Sequence, residues 1–139
     1  MLRALVLLIF LVGCKPKTVG DSDDGLPHIR VISPASGSTI PTCLRMTVEV
    51  DNFEIVSPVD HQDLVDGQGH WQMQIDDLPL LVPCEALECA FSIEGLDDGP
   101  VSVVAVLADN TYVPITDADG ANVQDSVSYT LAGDGVVCE

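Results

Sequence analysis

Apolar and polar residues alternate along most of the chain after residue 28, the pattern expected of strands with one buried face. From Leu44 to Asp51, apolar positions alternate with polar or charged ones over eight residues. The same period of two recurs around Trp71 and around Tyr129, and Asp-Gly and Pro-rich turn signals separate the runs. The pattern predicts about seven strands, at residues 29–33, 44–55, 69–76, 78–82, 89–95, 101–108 and 123–131.

Several positions carry more specific expectations. The alternation changes phase near Asn52, which predicts a β-bulge there. Residues 101–107 are apolar on both parities, as in a central strand covered on both faces. Trp71, Met46 and Met73 share the apolar parity of their strands and are therefore predicted core residues.

No window after the N-terminal segment sustains a helical period. Short strands at regular spacing over residues 28–139 are typical of an all-β, immunoglobulin-like β-sandwich. A small closed barrel is the alternative architecture.

The N-terminus has a different pattern. Met1-Leu2-Arg3 is a short segment with one positive charge, and residues 4–12 form an uninterrupted apolar run. As a helix this run would extend only about 14 Å, roughly half a bilayer core. Residues 1–13 are therefore predicted to be a secretory signal peptide rather than a membrane span.

Small residues follow the apolar run directly. Leu11-Val12-Gly13-Cys14 resembles the bacterial lipobox, Leu-x-(Gly/Ala)-Cys, and this resemblance implies that Cys14 is lipidated and becomes the first mature residue. The alternative is an ordinary signal peptide followed by a chance cysteine. Residues 14–27 contain Pro, Gly, Ser and charge without an apolar period, which predicts a flexible tether. Lys15, rather than Asp, follows the cysteine, and by resemblance to the sorting rules of Gram-negative lipoproteins this implies the outer rather than the inner membrane.

Composition and charge narrow the function classes. Hydrophobic residues make up 47% of the 139 residues, too many for a disordered acidic tail. The formal net charge of −17 excludes a nucleic-acid partner, because phosphate binding needs a basic face.

The four cysteines other than Cys14 allow three disulfide pairings. Because strands alternate in direction, Cys43 and Cys138 fall at one end of the sandwich, while Cys84 and Cys89 flank a connection at the other. The pairing Cys43–Cys138 with Cys84–Cys89 is therefore the easiest to form. A zinc site made of all four is disfavoured, since no C-x-x-C pair exists and the two ends do not converge.

Residues 31–131 also resemble an uncharacterised family of secreted or lipid-anchored bacterial β-sandwich domains, of the Gly-His-(His/Trp)-His type. The motifs that carry the resemblance are Ser33-Pro34-Ala35-Ser36-Gly37, Val50-Asp51-Asn52-Phe53, Gly69-His70-Trp71-Gln72 with Ile75-Asp76, and Ala108-Asp109-Asn110.

The family has no assigned activity. This chain has Gln72 where the family has a second His, and Tyr112 near the position of a His in the late turn. If histidines of that family bind a metal, the resemblance implies that this chain has lost most of the ligand set.

Two places carry candidate chemistry. His70 falls on the polar parity of its strand, beside Gln72, and is expected to be a surface residue rather than a ligand. A loose Ca²⁺ site is the other candidate, but it lacks the EF-hand order and competes with a simple Asx turn. Its oxygen donors would be Asp117, Asp119, Asn122 and Asp125.

No paired acid–base constellation or nucleophile arrangement is evident, so the chain is predicted not to be an enzyme and to need no cofactor. The expected function is that of a lipid-anchored lipoprotein of the bacterial cell envelope. Its sandwich would act as a binding or structural module for an envelope protein or a glycan. The alternative is a periplasmic protein that binds copper or calcium ions.

Overall fold

The computed structural model describes residues 24–76, 78 and 80–139. Within them the chain forms nine β-strands and no helix, in agreement with the predicted all-β class. The strands are β1 His28–Ser33, β2 Thr39–Ile40, β3 Cys43–Asp51, β4 Glu54–Ile55, β5 Gln68–Ile75, β6 Leu81–Cys84, β7 Glu88–Ser92, β8 Gly99–Asp109 and β9 Gln124–Leu131.

The strands form two sheets that enclose one core. The smaller sheet has three strands in the order β1-β3-β7. The larger has six, in the order β2-β9-β8-β5-β4, with β6 paired to β5 beside β4. Since each sheet has open edges, the architecture is a sandwich, and the closed-barrel alternative is wrong. No helix long and apolar enough to cross a membrane occurs in residues 24–76, 78 and 80–139.

The predicted core residues lie between the sheets. Trp71, Met46 and Met73 are fully buried, and Trp71 donates its indole N–H to the carbonyl oxygen of Ala86 at 2.7 Å. β8 lies between β5 and β9, which confirms its predicted central position. The period of two therefore identifies the inward face of the strands correctly.

The predicted strand 44–55 is two strands in different sheets. β3 ends at Asp51, Asn52 adopts a left-handed φ of 55°, and β4 then pairs in parallel with β5 in the other sheet. The predicted bulge is wrong: the phase change marks a crossing between sheets. The crossing lets the half-buried ring of Phe53 pack against the core.

Three further differences concern strand boundaries. The strand predicted at 78–82 is found instead at Leu81–Cys84, as β6. There Leu81 pairs with Gln74 and Cys84 pairs with Trp71 of β5. The predicted strand 89–95 ends at Ser92, and the two-residue β2 was not predicted because two residues are too short to show a period.

The structure contains the pairing of cysteines that strand alternation favours. One disulfide joins Cys43 to Cys138, which are 95 residues apart in sequence. The other joins Cys84 of β6 to Cys89 of β7 and so links an edge of the six-stranded sheet to an edge of the three-stranded sheet.

The C-terminal tail lies across the end of the sandwich opposite to the start of β1. The hydroxyl of Thr42 accepts the backbone N–H groups of Asp134 and Gly135 at 3.1 and 3.0 Å, and Ser92 accepts that of Cys138 at 2.7 Å. The end at which β1 begins, β5 begins and β8 ends is here called the entry end. The C-terminal tail thus covers the end of the sandwich opposite to the entry end.

We expect Cys138→Ser to lower the free energy of unfolding by about 4 kcal/mol, because it opens the long loop and frees the tail. The double variant Cys84→Ala/Cys89→Ala should cost about 2 kcal/mol, since its loop is short. Urea unfolding of the purified proteins measures both changes. A larger loss for the short bridge would contradict this account.

Candidate functional site at a buried histidine

The site begins with a close approach of two strands at Gly69. A Cβ atom built on Gly69 would collide with the carbonyl oxygen of Ala108 and would lie 2.9 Å from the ring of Phe53. Only glycine fits there. This contact fixes the register in which His70 lies opposite Ala108 and Gln72 opposite Val106.

His70 and Gln72 lie on the outer face of the six-stranded sheet, opposite to the face that carries Trp71 and Met73. Both are nevertheless buried, with 0% and 2% of their surfaces exposed. The predicted surface position of His70 is therefore wrong. Its polar parity correctly placed it on the outer face, but another part of the chain covers that face.

The segment that follows β8 brings Tyr112 onto the histidine. Asp109 holds the turn, since its Oδ1 accepts the backbone N–H of Thr111 at 2.8 Å and that of Val113 at 3.1 Å. Tyr112 has a φ of 66°, and its ring meets the His70 ring edge to face with centroids 4.8 Å apart. Gln72 and Tyr112 thus both contact His70.

The polar atoms of this site are incompletely paired. Nε2 of Gln72 lies 3.3 Å from Nε2 of His70. Within the described part of the chain, Nδ1 of His70 and Oε1 of Gln72 are buried without a partner that meets hydrogen-bond geometry, although the His70 ring also interacts with the backbone of Asp109. Buried polar atoms without partners are rare and costly, so both atoms call for an explanation.

Electrostatics favour a neutral ring. Burial lowers the pKa of His70 below its ordinary value of 6.5, while the carboxylates of Asp109 and Glu85 act in the opposite direction. The burial effect is the larger. His70 is therefore a neutral imidazole at neutral pH and presents one N–H and one lone pair.

Asn110, which the sequence placed in a motif without a role, ties the same turn to a second loop. Its side-chain amide donates to the backbone oxygen of Asp63 at 2.8 Å and to Oε1 of Gln68 at 3.1 Å. A groove of about 520 Å³ lies between the two loops at the entry end. Leu64, Pro114 and Ile115 are among its lining residues. No local sequence pattern indicates this contact, because it joins residues 47 positions apart.

The candidate calcium residues do not converge on one site. Oδ1 of Asp117 accepts the backbone N–H groups of Asp119 and Ala121 at 2.9 and 3.0 Å, which is an Asx turn. Oδ2 of Asp125 accepts the N–H of Val31 at 2.8 Å, across to the edge of the other sheet. No group of three or more His, Cys, Asp or Glu side chains placed to hold a metal ion occurs in the described ranges.

Comparison with known proteins gives the fold alone. No family model and no curated protein matches the chain. A solved structure, the endo-β-1,4-mannanase from Thermotoga petrophila, is similar over 81% of this chain with a TM-score of 0.51 and 12% sequence identity. The similarity covers 21% of the mannanase chain.

The stability of the protein should fall as the pH drops below about 6.5, because the unfolded chain binds a proton at His70 more readily than the folded one. This contribution is fully present above 6.5 and is lost as the pH falls toward the lower pKa of the folded state. Urea unfolding at pH 7.5 and pH 5 measures the loss. His70→Gln should reduce it, whereas the control His61→Gln, at an exposed position, should not. Equal pH dependence in all three proteins would contradict the assignment.

Asp125→Ala should lower the free energy of unfolding by about 1–2 kcal/mol, because it leaves the N–H of Val31 without its acceptor. Asp119→Ala is the matched control in the same region, since the contact at this position is made by its backbone. Thermal unfolding with and without Ca²⁺ measures both variants. A loss in Asp125→Ala that appears only when Ca²⁺ is present would instead assign Asp125 to a metal site.

Proposed function

We propose that this protein is a lipid-anchored, non-catalytic lipoprotein of the bacterial cell envelope whose β-sandwich is a binding or structural module. The anchor is Cys14, and the sandwich begins at residue 28 after a tether. An oxidising compartment outside the cytoplasm suits the two disulfides, since such bonds persist there.

The disposition of the five cysteines is the observation that carries this proposal. Four of them pair with one another in two disulfides. Cys14 is left over, and it is the cysteine of the lipobox-like sequence. A thiol that has no role in the disulfide framework is available for thioether formation with a diacylglyceryl group.

The placement of the chain ends also supports the proposal. β1 starts at the entry end, and the disulfide-bonded tail lies at the opposite end. Fourteen extended residues reach at most about 45–50 Å, so the tether from Cys14 can hold the domain clear of the headgroups. With acidic residues outnumbering basic ones 22 to 5, the domain should be repelled by anionic lipids.

The partner classes that remain are an envelope protein and a glycan. The mannanase shares the fold at an identity that carries no functional argument. The calcium alternative gains no support from Asp117 and Asp125, because both accept backbone N–H groups. Neither calcium nor copper binding is supported by a group of three or more His, Cys, Asp or Glu side chains within the described residues.

Cys14→Ser should abolish lipidation and either release the protein from the membrane fraction or leave an unprocessed precursor. Two or three acyl chains anchor stably where one does not, so the unaltered protein should remain fully membrane-bound. The measurement is membrane fractionation together with mass spectrometry of the N-terminal peptide. Cys138→Ser is the control: it also replaces one cysteine by serine, here a disulfide-bonded one, and it should stay in the membrane. Membrane retention with an unmodified Cys14 thiol would overturn the proposal.

A further inference from the structure

The groove of about 520 Å³ at the entry end has the volume of a typical ligand cleft. It is called the entry groove below, and its two walls belong to residues 56–68 and 109–116. Leu64 lines it from the first wall, and Pro114 and Ile115 line it from the second. The inner surface of the entry groove is thus largely apolar.

Apolar side chains around the entry groove are also open to solvent. Leu64 is 68% exposed, and Val65 beside it is exposed as well. On the other wall, Tyr112 and Val113 are exposed. Single exposed apolar residues are normal, whereas several on two adjoining loops form a patch that is typical of an interaction surface. A partner can reach these side chains without any change in the fold.

Hydrogen bonds hold both walls in place. The buried amide of Asn110 donates to the backbone oxygen of Asp63 and to Oε1 of Gln68, and so joins one wall to the other. Oδ1 of Asp109 holds the second wall by accepting the backbone N–H of Val113. The entry groove is therefore preformed, which reduces the conformational entropy lost on binding.

The charge around the entry groove is entirely negative. Asp66 and Asp109 line it, and Asp60 and Asp63 lie on the same loop as Asp66. Neither wall contains a Lys or Arg. Asp60, Asp63 and Asp66 are exposed, and among the described residues their carboxylates have no hydrogen-bond or ion-pair partner. Since these like charges repel one another, a cation brought by a partner would stabilise the loop.

This combination of apolar walls and unpaired carboxylates selects one class of ligand. An anionic membrane surface, or a second copy of this acidic chain, would bring like charge to the carboxylates. A metal ion lacks ligands, because the described residues contain no group of three or more suitable side chains. A polypeptide segment with apolar and basic side chains suits both features. Its apolar groups leave water, and its Lys or Arg groups pair with carboxylates.

We propose that the entry groove binds a segment of a partner protein that is both apolar and basic. Apolar side chains of the segment lie between Leu64 and Ile115, while its Lys or Arg side chains pair with Asp66 and the neighbouring carboxylates of the same loop. This inference rests on the proposed binding role of the sandwich, assigns it a protein rather than a glycan as partner, and is independent of the lipid anchor.

The test uses the mature lipoprotein, labelled with ¹⁵N and held in micelles of a non-ionic detergent. The probe is a short peptide with Val, Leu and Pro at its centre and Arg at both ends. One control peptide has Glu in place of Arg, and another has Ser at its centre. We expect the Arg peptide to shift the backbone amide resonances of residues 64–68 and 115–116 in a saturable manner, and neither control peptide to do so.

Variants at exposed positions separate the two parts of the interaction without disturbing the fold. Leu64→Ser should weaken binding about tenfold, because an apolar contact is lost. Its matched control is Leu80→Ser, at an exposed leucine near the opposite end of β5. Asp66→Asn should weaken binding about two- to fivefold and reduce its sensitivity to salt. Asp97→Asn, at another exposed carboxylate, should change neither property.

Several results would overturn the inference. They are the absence of any shift with the Arg peptide, equal binding of the Arg and Glu peptides, and equal weakening by Leu64→Ser and Leu80→Ser. Shifts of the same resonances in phosphatidylcholine nanodiscs, with no response to peptide, would instead assign the surface to a membrane. Peptide binding that appears only in Lys15→Ser/Lys17→Ser would assign the entry groove to the chain's own N-terminal segment. Membrane fractionation of Cys14→Ser tests the anchor separately in every case.

Discussion

The pairing of β5 with β8 is the constraint on which both the core and the candidate site depend. It runs from Gly69 opposite Asp109 to Ile75 opposite Val103. Because Gly69 admits the β8 backbone at close range, the register has no freedom to slip. A shift by one residue would turn Trp71 outward and His70 into the core, since successive side chains face opposite sides of a sheet.

The β5 strand also shows which features of the fold the sequence predicts and which it does not. Its period of two correctly separated Trp71, on the core face, from His70 and Gln72, on the other. It could not show that the other face is covered at these two residues and open at Gln74. At His70 the coverage comes from Tyr112, about forty residues later, and from the turn that Asp109 holds. Coverage by a distant loop leaves no trace in the local pattern.

The same limitation explains why the sequence does not predict the crossing after β3. Alternation continues through residues 44–55 with one change of phase, and a bulge and a change of sheet produce the same change in the pattern. The left-handed backbone of Asn52 and the packing of Phe53 against the core distinguish a change of sheet from a bulge. Both features depend on the position of the other sheet, which the local sequence does not show. The cysteines were more informative, because a disulfide joins positions that only the global strand order brings together.

The incompletely paired side chains of His70 and Gln72 lower the stability of the fold. Each buried polar atom without a partner costs about 1–3 kcal/mol, so His70 and Gln72 together oppose folding by a few kcal/mol. The long disulfide offsets a similar amount in the chain-entropy model. It does so from the opposite end of the sandwich, through the tail and β3. A sequence selected for stability alone would place apolar side chains at both positions, as it does at Val104 and Val106 on the adjoining strand. His70 and Gln72 therefore lower the stability of the outer face of the sheet, and the rest of the fold compensates for them.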